Sequence, residues 1–497
     1  MSHVLCTVFL CLQNVSKMRP YKQCPLSHNV NTRGQMACAS GTGPSAKLVG
    51  GIMVTSAFLV GILHASAPCR AGAMPATMPG DIFAHAGSPG SSSPAPLSSE
   101  PPGASPKIFL AWRRLGLPFN DLRNTLTDNW WGVRTALENH GLTPEVSLLQ
   151  AASENFSGGI RTNRIDWRYR FDAGLELNTD KLFGWKGGTA FVDFMAHGGQ
   201  NPQNDLVGAL QAISAIDQNP ATRLDQIWYK QELLDHRFWF KLGRIDTTYD
   251  FDNIRDAEPF LNGSFGFTPV IFVFPSYPFS AWGGDFSWRP IRDVTLRGGL
   301  FDGNTENTVP AIPSTNPYAI ENPYGMLAQA EESLDWRVGT RRLGGTLTLG
   351  EWYHTGKFDT YQGTHVQGAH GFYGYLDQTL WKSSPAKARS DSRIGAFIQY
   401  AWANDRLTEI DQNLLGGLRW RGLIPGRPDD NTGIGFTWAH LSRYAQSPKN
   451  YELSIESFYS AQVTPWLNVQ PDLQYIINPG GIYPNALVAT IQVAISF

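Results

Sequence analysis

The 497-residue chain sets 40 Lys+Arg against 42 Asp+Glu, a formal net charge of -2, so it lacks the basic excess that a nucleic-acid binder uses to displace counterions. Charged residues make up 16%, below the roughly 25% of ordinary soluble domains, and aromatics reach 12%. The five cysteines are Cys6, Cys11, Cys24, Cys38 and Cys69, which excludes a disulfide framework or a thiolate metal site from everything after Cys69.

Lys47 opens an apolar run from Leu48 to Leu63, too short for a comfortable membrane-spanning helix. Ala65-Ser66-Ala67 and Ala71-Gly72-Ala73 follow it. A basic residue, a short apolar core and an A-x-A exit describe a secretory signal peptide. Cleavage is expected after Ala73, since Pro68 sits just past the other site, and the alternative is an uncleaved anchor helix. Translation from Met1 or from Met36 both fit, so residues 1–73 are read as a leader region. Residues 74–107 are dense in Pro, Gly, Ser and Ala and cannot bury enough apolar surface to offset the entropy of ordering. With the ambiguous stretch Ile108–Leu126, where Leu110–Leu115 suggest a short helix, they form a spacer over 74–127.

From residue 128 to Phe497 the dominant signal is period-two alternation between turn residues. Tyr169, Phe171, Ala173, Leu175 and Leu177 alternate with Arg170, Asp172 and Glu176. Phe238, Phe240 and Leu242 alternate with Trp239 and Lys241, and Tyr451, Leu453 and Ile455 with Glu452, Ser454 and Glu456. Leu467, Val469, Leu473, Tyr475 and Ile477 alternate with Asn468, Gln470, Asp472 and Gln474. In the last segment Leu487, Ala489, Ile491, Val493, Ile495 and Phe497 share one face. Helical periodicity is confined to Leu206–Ile216, and the longest apolar run after the leader is Val270–Phe274. Strands of about 10 residues with one apolar and one charged face suit a closed transmembrane sheet, where every backbone group finds a partner without helices. About 370 residues at roughly 20–25 per strand and connection predict an all-β antiparallel barrel of about 16 strands over 128–497. A soluble sandwich alternates too; the leader, the lack of cysteine and the charges recurring on one face favour the membrane barrel.

Several segments in order resemble the carbohydrate-selective porins of the bacterial outer membrane, the OprB family. They are Gly243-Arg244-Ile245-Asp246 with Asp250-Phe251, the run Gly350-Glu351-Trp352-Tyr353-His354-Thr355-Gly356-Lys357-Phe358, and Gln470-Pro471-Asp472-Leu473-Gln474-Tyr475-Ile476 with Asn478-Pro479-Gly480-Gly481. Arg134, Leu137, Gly141, Asn155 and Gly158-Gly159 match near the start. The resemblance implies a water-filled pore for passive diffusion of small neutral sugars such as monosaccharides, contact with outer-membrane lipids, and recognition of Phe497 by the outer-membrane assembly machinery. It implies no enzyme activity and no cofactor, and leaves monomer and homo-oligomer both open.

On the polar faces Arg244, Asp246, Glu452, Glu456 and Asp472 are the candidate pore-lining residues; the bland reading of each is a solvated wall. A turn centred near Thr464 would make Glu456 and Asp472 cross-strand neighbours. The connections Asp252–Ala281 and Asn304–Glu332 are long enough to be external loops or to fold inward. The histidines lack H-E-x-x-H spacing, which argues against a metal site. Two rival classes remain: a barrel lipase or glycosidase, and a soluble secreted sugar-binding β-protein. Four residues along a strand place Glu452 and Glu456 about 13 Å apart, beyond the roughly 5–9.5 Å of glycosidase carboxylates. Glu456 with Asp472 stays within that reach.

Overall fold

A computed structural model describes residues 125–497 apart from 219, 278, 304–324 and 384–391. The expected leader 1–73, nearly all of the spacer 74–127 and the helix expected at Leu110–Leu115 lie outside the described residues. The first eight strands are β1 (Leu142–Ser157), β2 (Ile165–Asn178), β3 (Gly188–Gly199), β4 (Ala221–Leu233), β5 (Phe238–Ile245), β6 (Ala281–Ile291), β7 (Val294–Asp302) and β8 (Met326–Val338). The rest are β9 (Leu343–Asp359), β10 (His365–Lys382), β11 (Arg393–Ala403), β12 (Ile410–Arg421), β13 (Asn431–Leu441), β14 (Tyr451–Thr464), β15 (Leu467–Ile477) and β16 (Ala486–Ser496). Each strand pairs antiparallel with its sequence neighbours, and β1 pairs with β16, closing a barrel of 16 strands. This is the fold that the alternation predicts. Closure leaves no sheet edge with unpaired backbone groups.

The strand faces divide by chemistry. Outward side chains are exposed and apolar, as at Ile165, Trp167, Leu242, Leu473, Tyr475 and Ile491. Inward side chains are polar and buried, as at Arg168, Arg170, Asp172, Lys241, Gln474 and Gln492. An apolar exterior around a polar interior suits hydrocarbon outside and water inside. Connections on one end are short, such as Pro465–Trp466 between β14 and β15, whereas the other end carries the long loops, marking the external side.

At the short-turn end, residues 125–141 pack across the β1–β16 seam. They include helix α1 (Val133–Asn139), and Leu126 N–H donates to the Ser496 carbonyl at 2.8 Å. The buried Arg134 guanidinium donates to the carbonyls of Phe497 (2.8 Å), Asp128 (3.1 Å) and Pro144 (3.3 Å).

Three local expectations differ. β14 runs through Thr464 with an irregular pairing at Gln462, so Glu456 lies opposite Gln474 and Asp472 opposite Phe458. Glu456 and Asp472 are diagonal neighbours. β8 already begins at Met326, shortening the connection expected to reach Glu332. Between Leu206 and Ile216 the helical periodicity yields only the end of one turn, Gln203–Val207.

Candidate functional site

Two of the long external connections turn back into the barrel. Inner loop 1 is residues 200–218, between β3 and β4; inner loop 2 is residues 246–277, between β5 and β6. Loop 2 leaves β5 yet touches the wall from β8 to β15, which is possible only across the lumen. Asp252 N–H donates to Glu331 on β8 at 2.7 Å, Asp256 N–H to Asp377 on β10 at 2.8 Å, and Leu261 N–H to Glu456 on β14 at 2.6 Å. Gln470 on β15 donates to the Pro259 carbonyl at 2.7 Å, and Thr268 bonds Asn413 on β12 at 3.1 Å.

Apolar side chains drive this docking. Phe251, Phe260, Phe265, Phe267 and the run Val270–Phe274 are all buried, and they pack against Trp228, Trp352, Phe397 and Phe458 of the wall. Phe260 lies 4.4 Å from Phe265, 4.9 Å from Phe458 and 5.5 Å from Phe397 between ring centroids, with the two wall rings edge-on. The wall makes room with glycine: a Cβ on Gly435 would stand 2.8 Å from the Phe260 ring, and one on Gly433 3.0 Å from it. A Cβ on Gly395 would meet the Asp256 carboxylate at 1.9 Å.

Charged groups line what the loops leave open. Arg255, at the tip of loop 2, contacts Asp256 at 2.8 Å and also pairs with Asp377. Arg393 on β11 reaches Asp256 at 2.8 Å, and Arg297 on β7 reaches Glu331 at 3.1 Å. Water contact is uneven within these pairs. The side chains of Arg255, Arg297 and Arg393 are 42%, 29% and 20% exposed, whereas Asp256, Glu331 and Asp377 are 0%, 1% and 4% exposed. Buried carboxylates thus orient guanidiniums toward solvent. Burial alone would raise the Asp256 pKa, but Arg255, Arg393 and Arg419 outweigh it and hold the carboxyl below its ordinary value.

The profile of the family described as "Carbohydrate-selective porin, OprB family" matches residues 164–497. The chain belongs to the OprB family of carbohydrate-selective porins. It is 25% identical to Porin B of Pseudomonas aeruginosa over 421 residues, covering 74% of this chain and 90% of that protein. It is 22% identical over 420 residues to the putative porin QuiX of Acinetobacter baylyi, covering 76% and 93%. The high-pH structure of Pseudomonas putida OprB superposes with a TM-score of 0.68 at 22% identity, over 75% of this chain and 98% of that one, and supports the fold.

This OprB-family porin is a protein of the bacterial outer membrane. All five residues singled out on the polar strand faces are buried in it. Arg244 donates to Ser280 at 2.8 Å, and Asp246 accepts from Thr248 N–H at 3.0 Å and from Tyr277 N–H at 3.1 Å, so this pair frames the two ends of loop 2. Glu452, Glu456 and Asp472 cluster nearly half the ring away, on β14 and β15, beneath both loops. The structure therefore groups the three acids but not the arginine with them. The partly water-facing Arg297 with its partner Glu331, Arg393 with its partner Asp256, and Asp377, which holds Arg255, were not among those five. Alternation places Arg297, Glu331 and Asp377 on an inward face, but nothing local to them says that loop 2 covers the two carboxylates and leaves Arg297 partly open to water.

Proposed function

We propose that this porin passes small neutral sugars, monosaccharides foremost, by diffusion through the gap between inner loop 2 and the wall around β7 to β11, without turnover. One observation carries the reading: guanidiniums fixed by buried carboxylates face the water. Guanidinium is a pure donor with a rigid fork, and sugar hydroxyls accept and donate, so hydrogen bonds are exchanged as hydration water leaves. Fixed, partly hydrated donors bind weakly enough for the sugar to depart. Glu452 and Glu456 are poor candidates for paired-carboxylate hydrolysis, because both carboxylates already accept backbone N–H groups of the inner loops. Residues 1–73 fit a leader removed during export. Phe497 continues the outward phase of β16, its N–H donating to Val146 at 2.9 Å, and fits a recognition element for the assembly machinery.

Proteoliposomes carrying the protein test the reading. They are expected to swell in glucose much faster than in a disaccharide, and glucose should reduce the ion current of single channels. Equal swelling in both sugars, leak at protein-free rates, or cleavage of the sugar would overturn it.

A further inference from the structure

We infer that Glu452 and Glu456 are positioning residues for permeation: they moor the two inner loops as one unit, and that unit sets the cross-section of the pore. Four residues apart on β14, they stand about 13 Å apart along the strand, facing the same way. Glu452 accepts the backbone N–H groups of Leu210 (2.7 Å) and Gln211 (2.8 Å) from loop 1, and of Gly480 (2.7 Å) from the β15–β16 connection. Glu456 accepts those of Leu261 (2.6 Å) and Asn262 (2.9 Å) from loop 2. Each carboxyl group thus accepts hydrogen bonds on both oxygens, the arrangement that satisfies a buried polar group.

The loops are also tied to each other. Gly263 N–H donates to the Ala212 carbonyl at 2.8 Å, and Ala215 N–H to the Leu261 carbonyl at 2.9 Å. The Ser264 hydroxyl donates to Gln211 at 2.9 Å. Gln474 on β15, fully buried, donates to the Ile213 carbonyl of loop 1 at 2.6 Å and accepts from Asn262 of loop 2 at 3.2 Å. Backbone donors in irregular segments need a partner when buried, and here side chains of β14 and β15 supply it. Removing either carboxylate leaves donors of one loop unpaired and strains the other through the shared bonds.

The inference rests on the proposed size-selective diffusion, and the test separates the two. The full chain is reconstituted into liposomes as wild type, Glu452→Ala, Glu456→Ala, the double alanine variant and Glu456→Gln, with the outward-facing Glu154→Ala as control. The readout is the disaccharide-to-glucose ratio of swelling rates, taken on material whose folded barrel is verified by its heat-modifiable mobility in detergent. Leaving buried backbone donors without their acceptor shifts a docking equilibrium on the order of tenfold to a hundredfold. The ratio should rise about tenfold or more in each alanine variant, and less in Glu456→Gln, which keeps an acceptor oxygen. Glu154→Ala should match wild type. An unchanged ratio in the folded alanine variants would overturn the mooring, whereas a wild type that fails to discriminate the two sugars would overturn the functional reading instead.

Discussion

Phe260→Ala isolates the apolar half of loop docking. The ring belongs to loop 2 and contributes nothing to the strand ladder, so the closed barrel should survive its loss. Its surroundings are full: Phe265, Phe397 and Phe458 lie within 5.5 Å between centroids, and Gly433 and Gly435 form the floor. Truncating a buried Phe costs about 3–5 kcal/mol, combining lost transfer energy with the cavity left behind. At about 1.4 kcal/mol per factor of ten, the docked-to-released ratio of loop 2 should fall roughly a hundredfold to a few thousandfold. Single-channel recordings should then show frequent excursions to higher conductance, with disaccharide permeation rising in parallel. Phe260→Leu, which keeps most of the volume, should show far fewer. Identical conductance histograms and intact disaccharide exclusion in a folded Phe260→Ala barrel would refute the idea that aromatic packing holds the loop.

Three further outcomes are expected. Gly395→Ala should displace the loop tip, because its Cβ would stand 1.9 Å from the Asp256 carboxylate, while Gly344→Ala, with nothing within 4 Å, should be silent in the same conductance recordings; a shift of about 1–3 kcal/mol is typical of such overpacking. Asp217 of loop 1 is pushed up to about 6 by burial, only partly offset by Arg168 at 2.6 Å. Since its docked pKa exceeds the released value, docking should strengthen as pH falls from 7 to 5, by about 1.3 kcal/mol, and Asp217→Asn should flatten the trend; hydrogen-exchange protection of loop 1, relative to the intrinsic rate at each pH, that falls at pH 5 would contradict this. A charged thiol reagent should modify Arg297→Cys readily and leave Leu473→Cys, facing lipid, and Gln474→Cys, covered by the loops, nearly untouched; fast labelling of Gln474→Cys in otherwise wild-type protein would mean that the loops do not cover β15.

Strand phase was the most legible feature of the sequence, because side chains on a strand must alternate and hydrocarbon accepts only one of the two faces. Leu473 and Gln474 illustrate it: adjacent residues, one exposed outside and the other buried inside. Register was less legible. The turn sits at Pro465–Trp466 rather than centred on Thr464, and with a one-residue irregularity between Gln462 and Thr464 this sets Glu456 opposite Gln474 instead of Asp472. Cover was not legible at all. Arg244, Asp246, Glu452, Glu456 and Asp472 and the water-facing Arg297 share an inward phase, and what separates them is loop placement, which depends on contacts hundreds of residues apart in sequence, such as Gln211 with Glu452.

One sequence feature had no role in a simple barrel: the apolar run Val270–Phe274. It is too short to span a bilayer and lies in a connection rather than a strand. In water it would be a liability; inside the barrel it meets Trp352, whose ring lies 5.7 Å from Phe272 and 6.3 Å from Phe274. Trp352 itself is inward and buried, against the general rule of a polar lumen face. The two departures explain each other, since an apolar patch on a water-filled wall is tolerable only where something apolar covers it. The lumen of this porin is therefore part core and part channel. Hydrophobic burial holds the loops, while the carboxylates, glycines and glutamines of the wall fix where they stop. Permeation properties should accordingly respond more to changes in loop 2 and in the wall residues beneath it than to changes in the uncovered wall.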